Sequence, residues 1–350
     1  MKNSVFNIYF ILGLTSLLTV PLLQGQTVSN APAGASSQVD SGWRKYAGNP
    51  VLGGEYGTCF DISVLQEIDT YRMWVSWRPK GSIALVKSKD GLRWSEPPQV
   101  VLPPRKETGW ENEVNRPIVL KRPDGYHMWY TGQSDSHSAI GYATSTDGIV
   151  WKRMSDKPVL CADQEWEKTA VMCPDVLWDE STKTYRMWYS GGEQYEPDAI
   201  GFATSADGIH WTKSEKNPVF KSDPSVEWEH HKVTACQVIQ EKGWYVMFYI
   251  GFRDNDHAQI GVARSKDGLS NWQRLAANPI VSPNPDQWDH DACYKPYAIF
   301  DGSKWLLWYN GRHGGLEQIG VVFHEGRDLG FPKAPEQARA SVSFGTLSQQ

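Results

Sequence analysis

The sequence has no excess of positive charge. Its 350 residues carry 35 lysines and arginines against 40 aspartates and glutamates, which gives a formal net charge of −5. A protein that holds nucleic acid presents a basic surface to the phosphate backbone. We therefore expect no nucleic-acid partner.

Cysteine is also scarce. No two of the five cysteines stand at the close spacing of a zinc site, and an odd number does not suit a complete set of disulfides in an exported chain. We predict small buried apolar side chains instead. We predict no cofactor and no catalytic metal; a structural calcium ion in the axial channel of the fold described below stays open, because no ligand spacing demands it.

One long apolar run stands at the start of the chain. Residues 1–26 combine a lysine, an apolar core and a polar end, which predicts an export signal and a periplasmic or secreted protein that is not inserted in the membrane after removal of the signal. No cysteine follows the apolar core, which argues against a lipoprotein anchor; an uncleaved single-span anchor is the alternative. Residues 27–42 and 333–350 have the composition of a flexible linker and a flexible tail.

The chain repeats itself. "IGYATSTDGIVWKR" begins at Ile140 and "IGFATSADGIHWTK" at Ile200, and further copies begin at Ile83, Ile260 and, in degraded form, Ile319. Self-similarity at a spacing of 57 to 60 residues indicates a repeat architecture. Each copy has Asp-Gly between two halves, which predicts a β-hairpin, and two apolar strands precede it. The unit is therefore four antiparallel strands.

Four-stranded units repeated around an axis form a β-propeller. The sequence thus predicts an all-β fold with five blades over residues 43–332. The last copy lacks the outer strand that ends the others, and residues 43–52 align without a gap on the segment that begins at Trp211. We predict that this N-terminal strand completes the fifth blade and closes the ring.

Comparison of the five copies separates what all share from what one alone carries. The turn aspartates recur, and so do the acids Glu111, Glu167, Glu229 and Asp289, which we interpret as structural. In the first strands, Asp61 is in register with four residues that are not acidic. These are Arg116, Cys173, Ala235 and Lys295. Two residues further along, Asp175 replaces Ser63, Ile118, Gln237 and Tyr297.

Other unshared polar residues fall on connections and loops that lead to one face, where a site on a rigid β scaffold is expected. On the connections, His231 is in register with Asp291, and Glu113 lies on a connection one residue shorter. The loops supply Glu193, Arg253, Arg312 and His313. A metal site formed by His230, His290, Asp289 and Asp291 between adjacent blades is a further possibility.

The motifs around the two unshared aspartates resemble a known family. "DISV" at Asp61 resembles the Asp-Pro-Ser-Val motif of glycoside hydrolase family 43, and "CPDV" at Cys173 resembles its Ala-Pro-Asp-Val. More broadly, the chain is similar to the five-bladed glycosidases of families 32, 43, 117 and 130, and the "NPV" and "IGYATSTDGI" phrases most resemble the mannoside phosphorylases of family 130.

The resemblance implies roles. Asp61 would be the general base that activates water, and Asp175 would orient the general acid and raise its pKa. Ile62 stands where the family has proline, and the family's third carboxylate falls near Thr234, so the acid is missing from its place. Its candidates are His231, Glu113, Asp291 and Glu193; His231 is favoured by family 117, whose members are thought to use a histidine.

We therefore expect an exported glycoside hydrolase that removes a terminal sugar from plant or algal oligosaccharides, with inversion. Arg116, Lys295, Arg253, Arg312 and His313 would bind substrate. Two alternatives stay open: a glycoside phosphorylase of the family 130 type, in which the cations bind phosphate, and a non-catalytic glycan-binding propeller. The sequence does not indicate the sugar, the linkage or the oligomeric state.

Overall fold

The computed structural model describes residues 41–95 and 97–333, and it confirms the all-β prediction. The strands are β1 (Trp43–Lys45), β2 (Cys59–Gln66), β3 (Tyr71–Trp77), β4 (Ser82–Ser88), β5 (Gln99–Leu102), β6 (Glu113–Arg122), β7 (Gly125–Gln133), β8 (Ser138–Ser145), β9 (Lys152–Arg153), β10 (Ala170–Asp179), β11 (Thr184–Glu193), β12 (Glu196–Ser205), β13 (Thr212–Lys213), β14 (Phe220–Lys221), β15 (Lys232–Glu241), β16 (Trp244–Phe252), β17 (Ala258–Ser265), β18 (Gln273–Arg274), β19 (Ala292–Phe300), β20 (Lys304–His313) and β21 (Leu316–Glu325). The helices are short 3-10 turns at Gly54–Tyr56, Arg78–Lys80, Lys106–Thr108 and Glu165–Glu167.

The strands follow the predicted repeat. We call repeat one β2–β5, repeat two β6–β9, repeat three β10–β14, repeat four β15–β18, and repeat five β19–β21 with β1. Neighbouring strands within each repeat pair in antiparallel order, and β13 and β14 of repeat three both pair with β12. Repeats two and three join into one nine-stranded sheet, because the start of β10 pairs with the start of β8 in parallel.

A tryptophan and a glycine explain why the repeats look alike. The indole of the tryptophan in the middle of the second strand donates to the carbonyl of the Asp-Gly glycine in the next repeat, at 2.8–3.0 Å. The pairs are Trp74 with Gly148, Trp129 with Gly208, Trp188 with Gly268, and Trp308 with Gly91. Each shared residue therefore fastens one repeat to its neighbour.

The Ser-x-Asp-Gly turns are wider than a two-residue hairpin. In repeat two the strands end at Ser145 and resume at Lys152, and Asp147 Oδ1 accepts from the N–H groups of Ile149 and Val150 at 2.8 and 2.9 Å. These backbone bonds lower the pKa of Asp147. The aspartate therefore caps the turn, in keeping with its predicted structural role. The connection has six residues, because the capped N–H groups of Ile149 and Val150 are part of it.

The recurring acids are buried inside their own repeats. Glu111, Glu167, Glu229 and Asp289 are each 0% exposed. In repeat four, Glu229 accepts from the Tyr249 hydroxyl and from Arg274 Nε, both at 2.5 Å. Equivalent tyrosine and arginine or lysine partners serve the other three, so these acids bond within their own repeats.

The N-terminal strand completes repeat five. Trp43, Arg44 and Lys45 of β1 pair with β21, and Lys45 Nζ lies 2.5 Å from Asp289 Oδ2, so this lysine does for repeat five what Arg274 does for repeat four. The first strands contact one another in chain order, and β19 contacts β2. The sheets themselves do not merge into one closed sheet within the described residues.

The predicted export signal, most of the linker and nearly all of the tail lie outside the described residues. None of the helices in the described part of the chain has the length and hydropathy needed to cross a membrane. Four cysteines are buried, as the sequence predicts, whereas Cys161 is exposed.

Candidate active site

Each first strand of the described repeats has a β-bulge at the same place. The residue in each bulge has a positive φ, between +34° and +54°. The five are Asp61, Arg116, Cys173, Ala235 and Lys295. Such a backbone costs on the order of 1–3 kcal/mol for a residue with a Cβ, and a bulge re-aims the side chain that it carries. The register predicted from the apolar residues is thus the one that the structure has.

Hydroxyl groups hold three of these bulges. The N–H of the bulge residue in repeats two to four donates to a serine or threonine on the second strand of the preceding repeat. The bonds run from Arg116 to Ser76 (2.8 Å), from Cys173 to Thr131 (3.0 Å) and from Ala235 to Ser190 (2.8 Å). A buried N–H that the bulge removes from the ladder is therefore satisfied by the neighbouring repeat.

A cavity that is open to solvent lies above the bulges. Its lining contains two carboxylates, Asp61 and Glu317, and four cationic side chains. The cations are Arg78, Arg116, Lys232 and Arg312. Tyr195, which is 62% exposed, lines the same cavity. The charge of the lining is predominantly positive.

Asp61 is the carboxylate that the bulge directs into the cavity. It is 4% exposed, its Oδ2 lies 3.4 Å from Arg116 Nε, and that oxygen accepts no hydrogen bond from a described residue. Burial raises the pKa of Asp61, and the positive charges of Arg116 and Lys295 oppose that rise. A buried carboxyl with a raised pKa and an unbonded oxygen is suited to proton transfer.

Glu317 is the second carboxylate of the cavity, and our sequence analysis did not single it out. Its Oε2 lies 2.7 Å from Arg78 Nη2, and its Oε1 accepts from the Tyr294 hydroxyl. A signal was available: counted back two residues from the isoleucine that begins each copy, the repeats read Gly81, Ser138, Asp198, Ala258 and Glu317. The same comparison of copies, applied to the third strands, narrows the acids at this position to Asp198 and Glu317.

Lys295 and Cys173 complete the group of bulge residues around Asp61. Lys295 is 4% exposed and makes no ion pair within 4.0 Å among the described residues, yet it is close enough to lower the pKa of Asp61. Cys173 is buried, and burial raises the pKa of its thiol. Of these residues the structure brings Asp61, Arg116 and Lys295 together, as the alignment of repeats predicts.

Asp175 is placed differently. It does not line the cavity, and its Oδ2 accepts from the N–H of Val238 on the neighbouring first strand at 2.7 Å. Ser63 and Gln237 accept from the next repeat in the same way. Burial raises the pKa of Asp175 to about 7, against the bond to Val238 and the charge of Lys295. The hydrogen bond from Val238 joins repeat four to repeat three. The predicted role of Asp175 in orienting the general acid is untested.

The candidates for the missing acid lie at or beyond the rim. His231 is exposed, and its Nε2 is 2.8 Å from Oδ1 of Asn255, which lines the cavity. Glu113 and Glu193 are exposed and outside the lining; Glu193 Oε1 is 3.6 Å from Lys168 Nζ. None of the three lines the cavity, and their predicted roles are untested.

The remaining candidates divide between cavity and surface. Arg312 lines the cavity, and its Nη2 donates to the Asp256 carbonyl at 2.6 Å. Arg253 is outside the lining and pairs with Asp254 at 3.4 Å. Asp291 and His313 lie together at the edge of repeat five, with 3.8 Å between Oδ1 and Nδ1. The structural calcium ion in the axial channel stays a possibility that no observation tests.

The sequence of this chain is similar to sequences of known proteins. Residues 67–249 match a family model, glycoside hydrolase family 130, described as beta-1,4-mannooligosaccharide phosphorylase. Beta-1,2-mannobiose phosphorylase from Thermoanaerobacter sp. (strain X514) is 28% identical over 152 residues, which are 39% of this chain and 47% of that enzyme.

Solved structures share the fold. A thermostable family-43 glycoside hydrolase superposes with a TM-score of 0.63 at 19% identity, over 82% of this chain and 97% of that one. A structure from work on family 130, in which mannoside phosphorylases are joined by glycoside hydrolases that target beta-1,2 mannosidic linkages in Candida mannan, gives 0.65 at 15% identity, over 82% and 95%. The resemblance to families 43 and 130 is confirmed.

Proposed function

Since the chain belongs to glycoside hydrolase family 130, we propose that it removes a terminal sugar from an oligosaccharide by cleaving a glycosidic bond in the cavity. The observation that carries the proposal is Asp61, a buried carboxyl with a raised pKa, one oxygen of which accepts no hydrogen bond from a described residue. Burial favours its protonated form, so we assign it proton donation to the leaving oxygen rather than the general-base role expected from the sequence.

Glu317 supplies the second carboxylate that hydrolysis requires. Arg78 and Tyr294 orient it toward the same cavity as Asp61. In the hydrolytic route the bond between the anomeric carbon and the leaving oxygen breaks, and Asp61 gives its proton to that oxygen. Glu317 takes a proton from the water that attacks the anomeric carbon, which inverts its configuration. The oligosaccharide is therefore the proposed partner of this cavity.

Phosphorolysis is the second candidate, and the cations favour it. Arg78, Arg116, Lys232 and Arg312 line a cavity with only two carboxylates, and phosphate binds readily to arginine and lysine. In this route phosphate attacks the anomeric carbon, so no second carboxylate is needed as a base. Asp61 keeps the same role, and Glu317 serves only to position Arg78.

The test is product analysis with the full-length protein on plant, algal and mannose-containing oligosaccharides, each with and without inorganic phosphate. Hydrolysis gives a free sugar without phosphate, whereas phosphorolysis gives a sugar 1-phosphate whose yield depends on phosphate. Arg312→Gln should raise the KM for phosphate in the second case, and Arg253→Gln, outside the cavity, is the matched control.

The non-catalytic alternative has a distinct outcome. If no product forms from any oligosaccharide while calorimetry detects glycan binding that survives Asp61→Asn, the proposed catalysis is wrong and the protein is a glycan-binding module. Product formation that is unchanged in Asp61→Asn would remove Asp61 from the mechanism and leave the activity in place.

We also propose that the five repeats close into a five-bladed propeller. The contact of β19 with β2 and the bond from Trp308 in repeat five to Gly91 in repeat one support closure. Removal of residues 1–45, which takes away β1 and Lys45, should then unfold the chain or lower its melting temperature sharply. A truncated protein with unchanged stability would exclude the closing role.

Export is proposed from the sequence of residues 1–26 alone. Expression of the full-length gene product in a Gram-negative host should give a periplasmic or secreted protein, and N-terminal sequencing of the mature form should begin near residue 27. Recovery of the intact N-terminus in the membrane fraction would favour the uncleaved anchor instead.

A further inference from the structure

Two histidines and an aspartate lie together at the edge of repeat five. They are separate from Asp61 and Glu317, the two carboxylates of the proposed reaction. His290 Nδ1 lies 2.9 Å from Asp291 Oδ1, and His313 Nδ1 lies 3.8 Å from the same oxygen. The three ligand atoms all lie within 4.8 Å of one another. Among the described residues, no other group of three or more potential ligands is so close.

The donor set fits a divalent transition metal. Imidazole nitrogen suits zinc and its neighbours, which bind at about 2.0–2.1 Å to nitrogen and about 2.0–2.2 Å to a carboxylate oxygen. Ligand atoms around a tetrahedral ion of that size stand roughly 3.3 Å apart. The two histidine–aspartate separations, 2.9 and 3.8 Å, bracket this value, and the two imidazole nitrogens lie within 4.8 Å of each other.

The surroundings orient the ligands and leave room for a fourth. Asp291 Oδ2 accepts from the Gly314 N–H at 2.8 Å, which leaves Oδ1 directed at the histidines. The three side chains are between 32% and 57% exposed, so the ion can enter from solvent and keep a water molecule. Gly314 and Gly315, with φ of +57° and +85°, form the turn that brings His313 back over Asp291.

Repeat four shows what the same connection does without this grouping. There His230 Nδ1 bonds to the Glu227 carbonyl at 2.7 Å, and His231 Nε2 bonds to Asn255. The buried Asp289, which the sequence analysis had included in a possible metal site, is held by Lys45 and Tyr309 and faces the interior. Only the edge of repeat five has two imidazoles on one accessible carboxylate oxygen within the described residues.

We propose that His290, Asp291 and His313 bind a divalent transition-metal ion of the zinc type, with solvent as the remaining ligand. The site ties the connection before β19 to the turn between β20 and β21. That turn stands between Arg312 and Glu317, which both line the cavity. A bound ion therefore fixes the segment that positions two cavity residues, without itself lying among the carboxylates of the proposed reaction.

The experiment uses the full-length protein without a histidine tag, stripped with EDTA and titrated calorimetrically with zinc chloride. Cys161 is the exposed thiol that would compete for zinc, so all proteins carry Cys161→Ser. We expect one zinc ion per chain. We expect His290→Ala and His313→Ala each to weaken binding by at least about tenfold, while His231→Ala in repeat four leaves it unchanged.

Two further readouts do not depend on activity. Cobalt in place of zinc should give a visible absorption spectrum that is lost in the double variant His290→Ala with His313→Ala, and zinc should raise the melting temperature of the parent protein but not of that variant. Zinc binding that the double variant retains in full, or an absence of binding by the parent, overturns the proposal.

Discussion

Buried carboxylates occur in two settings in this molecule, and the contrast separates structure from chemistry. Glu229, at 0% exposure, has a tyrosine hydroxyl and an arginine at 2.5 Å each. Asp61, at 4% exposure, has one guanidinium nitrogen at 3.4 Å and an oxygen without a hydrogen bond from a described residue. Both carboxylates are therefore buried, but only Glu229 has a full set of hydrogen-bonding and charged partners.

The difference has a physical reason. A buried charge is costly unless hydrogen bonds and an opposite charge replace the water that it loses. Glu229 has both replacements, so nothing remains for a substrate to do. Asp61 lacks the full set, and a backbone conformation with φ of +50° holds it in that position. The incomplete partner set at a strained residue marks Asp61 as the carboxylate available to a ligand.

The largest expected effect tests the incomplete setting. Asp61→Asn keeps the shape but cannot donate the acidic proton, so we expect a fall in kcat/KM of about 10²–10⁴-fold with little change in stability. Steady-state kinetics on the substrate found by product analysis measures it. Asp175→Asn, outside the cavity, is the comparison, and an equal loss in that variant would contradict the distinction.

For Glu229, whose partners are complete, we expect the opposite pattern: a loss of stability. Glu229→Ala leaves Arg274 and Tyr249 without their buried acceptor, so we expect a loss of about 3–5 kcal/mol in the free energy of unfolding. Urea denaturation measures it. Glu227→Ala, two residues earlier and exposed, should change stability by less than about 0.5 kcal/mol; a similar small change for Glu229 would mean that these clusters do not stabilise the repeats.

Asp175 is intermediate between Glu229 and Asp61, because it is buried and accepts one hydrogen bond. Its effect on stability is expected to depend on pH. Its pKa rises from 3.8 to about 7 in the folded protein, so the folded chain holds a proton that the unfolded chain loses above about pH 4. Stability therefore falls as pH rises from about 4 to 7, by roughly 4 kcal/mol at most for three units.

Asp175→Asn still accepts from Val238 and removes this dependence. The variant should therefore be more stable than the parent at pH 8, and the two should converge near pH 4. Urea denaturation at pH 4, 6 and 8 checks this, and parallel pH curves for the two proteins would show that the carboxyl is ionised in the fold.

The smallest effect compares two serines with the same structural task. Ser76→Ala and Ser190→Ala each leave a bulge N–H without its acceptor, which costs about 1–3 kcal/mol in unfolding free energy. Only Ser76 holds Arg116, the neighbour of Asp61, so only Ser76→Ala should lower kcat/KM. Denaturation and kinetics on both variants decide it; equal kinetic effects would mean that the bulges are coupled.

Internal comparison of the copies accounts for what the sequence could predict. The copies carry the tryptophan and glycine that join neighbours, so the repeat unit and the shared register of Asp61, Arg116 and Lys295 followed from them. Asp175 was harder to place, because the bulge shifts the alternation of side chains and turns it toward Val238 rather than the cavity. Glu317 was missed because repeat five diverges most, and its pairing with Arg78 joins residues 239 positions apart.

The five bulges also bear on how such a protein evolves. At three of these positions a hydroxyl group of the preceding repeat holds the backbone N–H. The side chains of all five differ completely: acid, guanidinium, thiol, methyl and ammonium. Folding and chemistry are therefore encoded by different atoms of the same residues. Substitution at one bulge alters the charge that faces a ligand without rewriting the repeat, so the five positions form a set that selection, or an engineer, can vary one at a time.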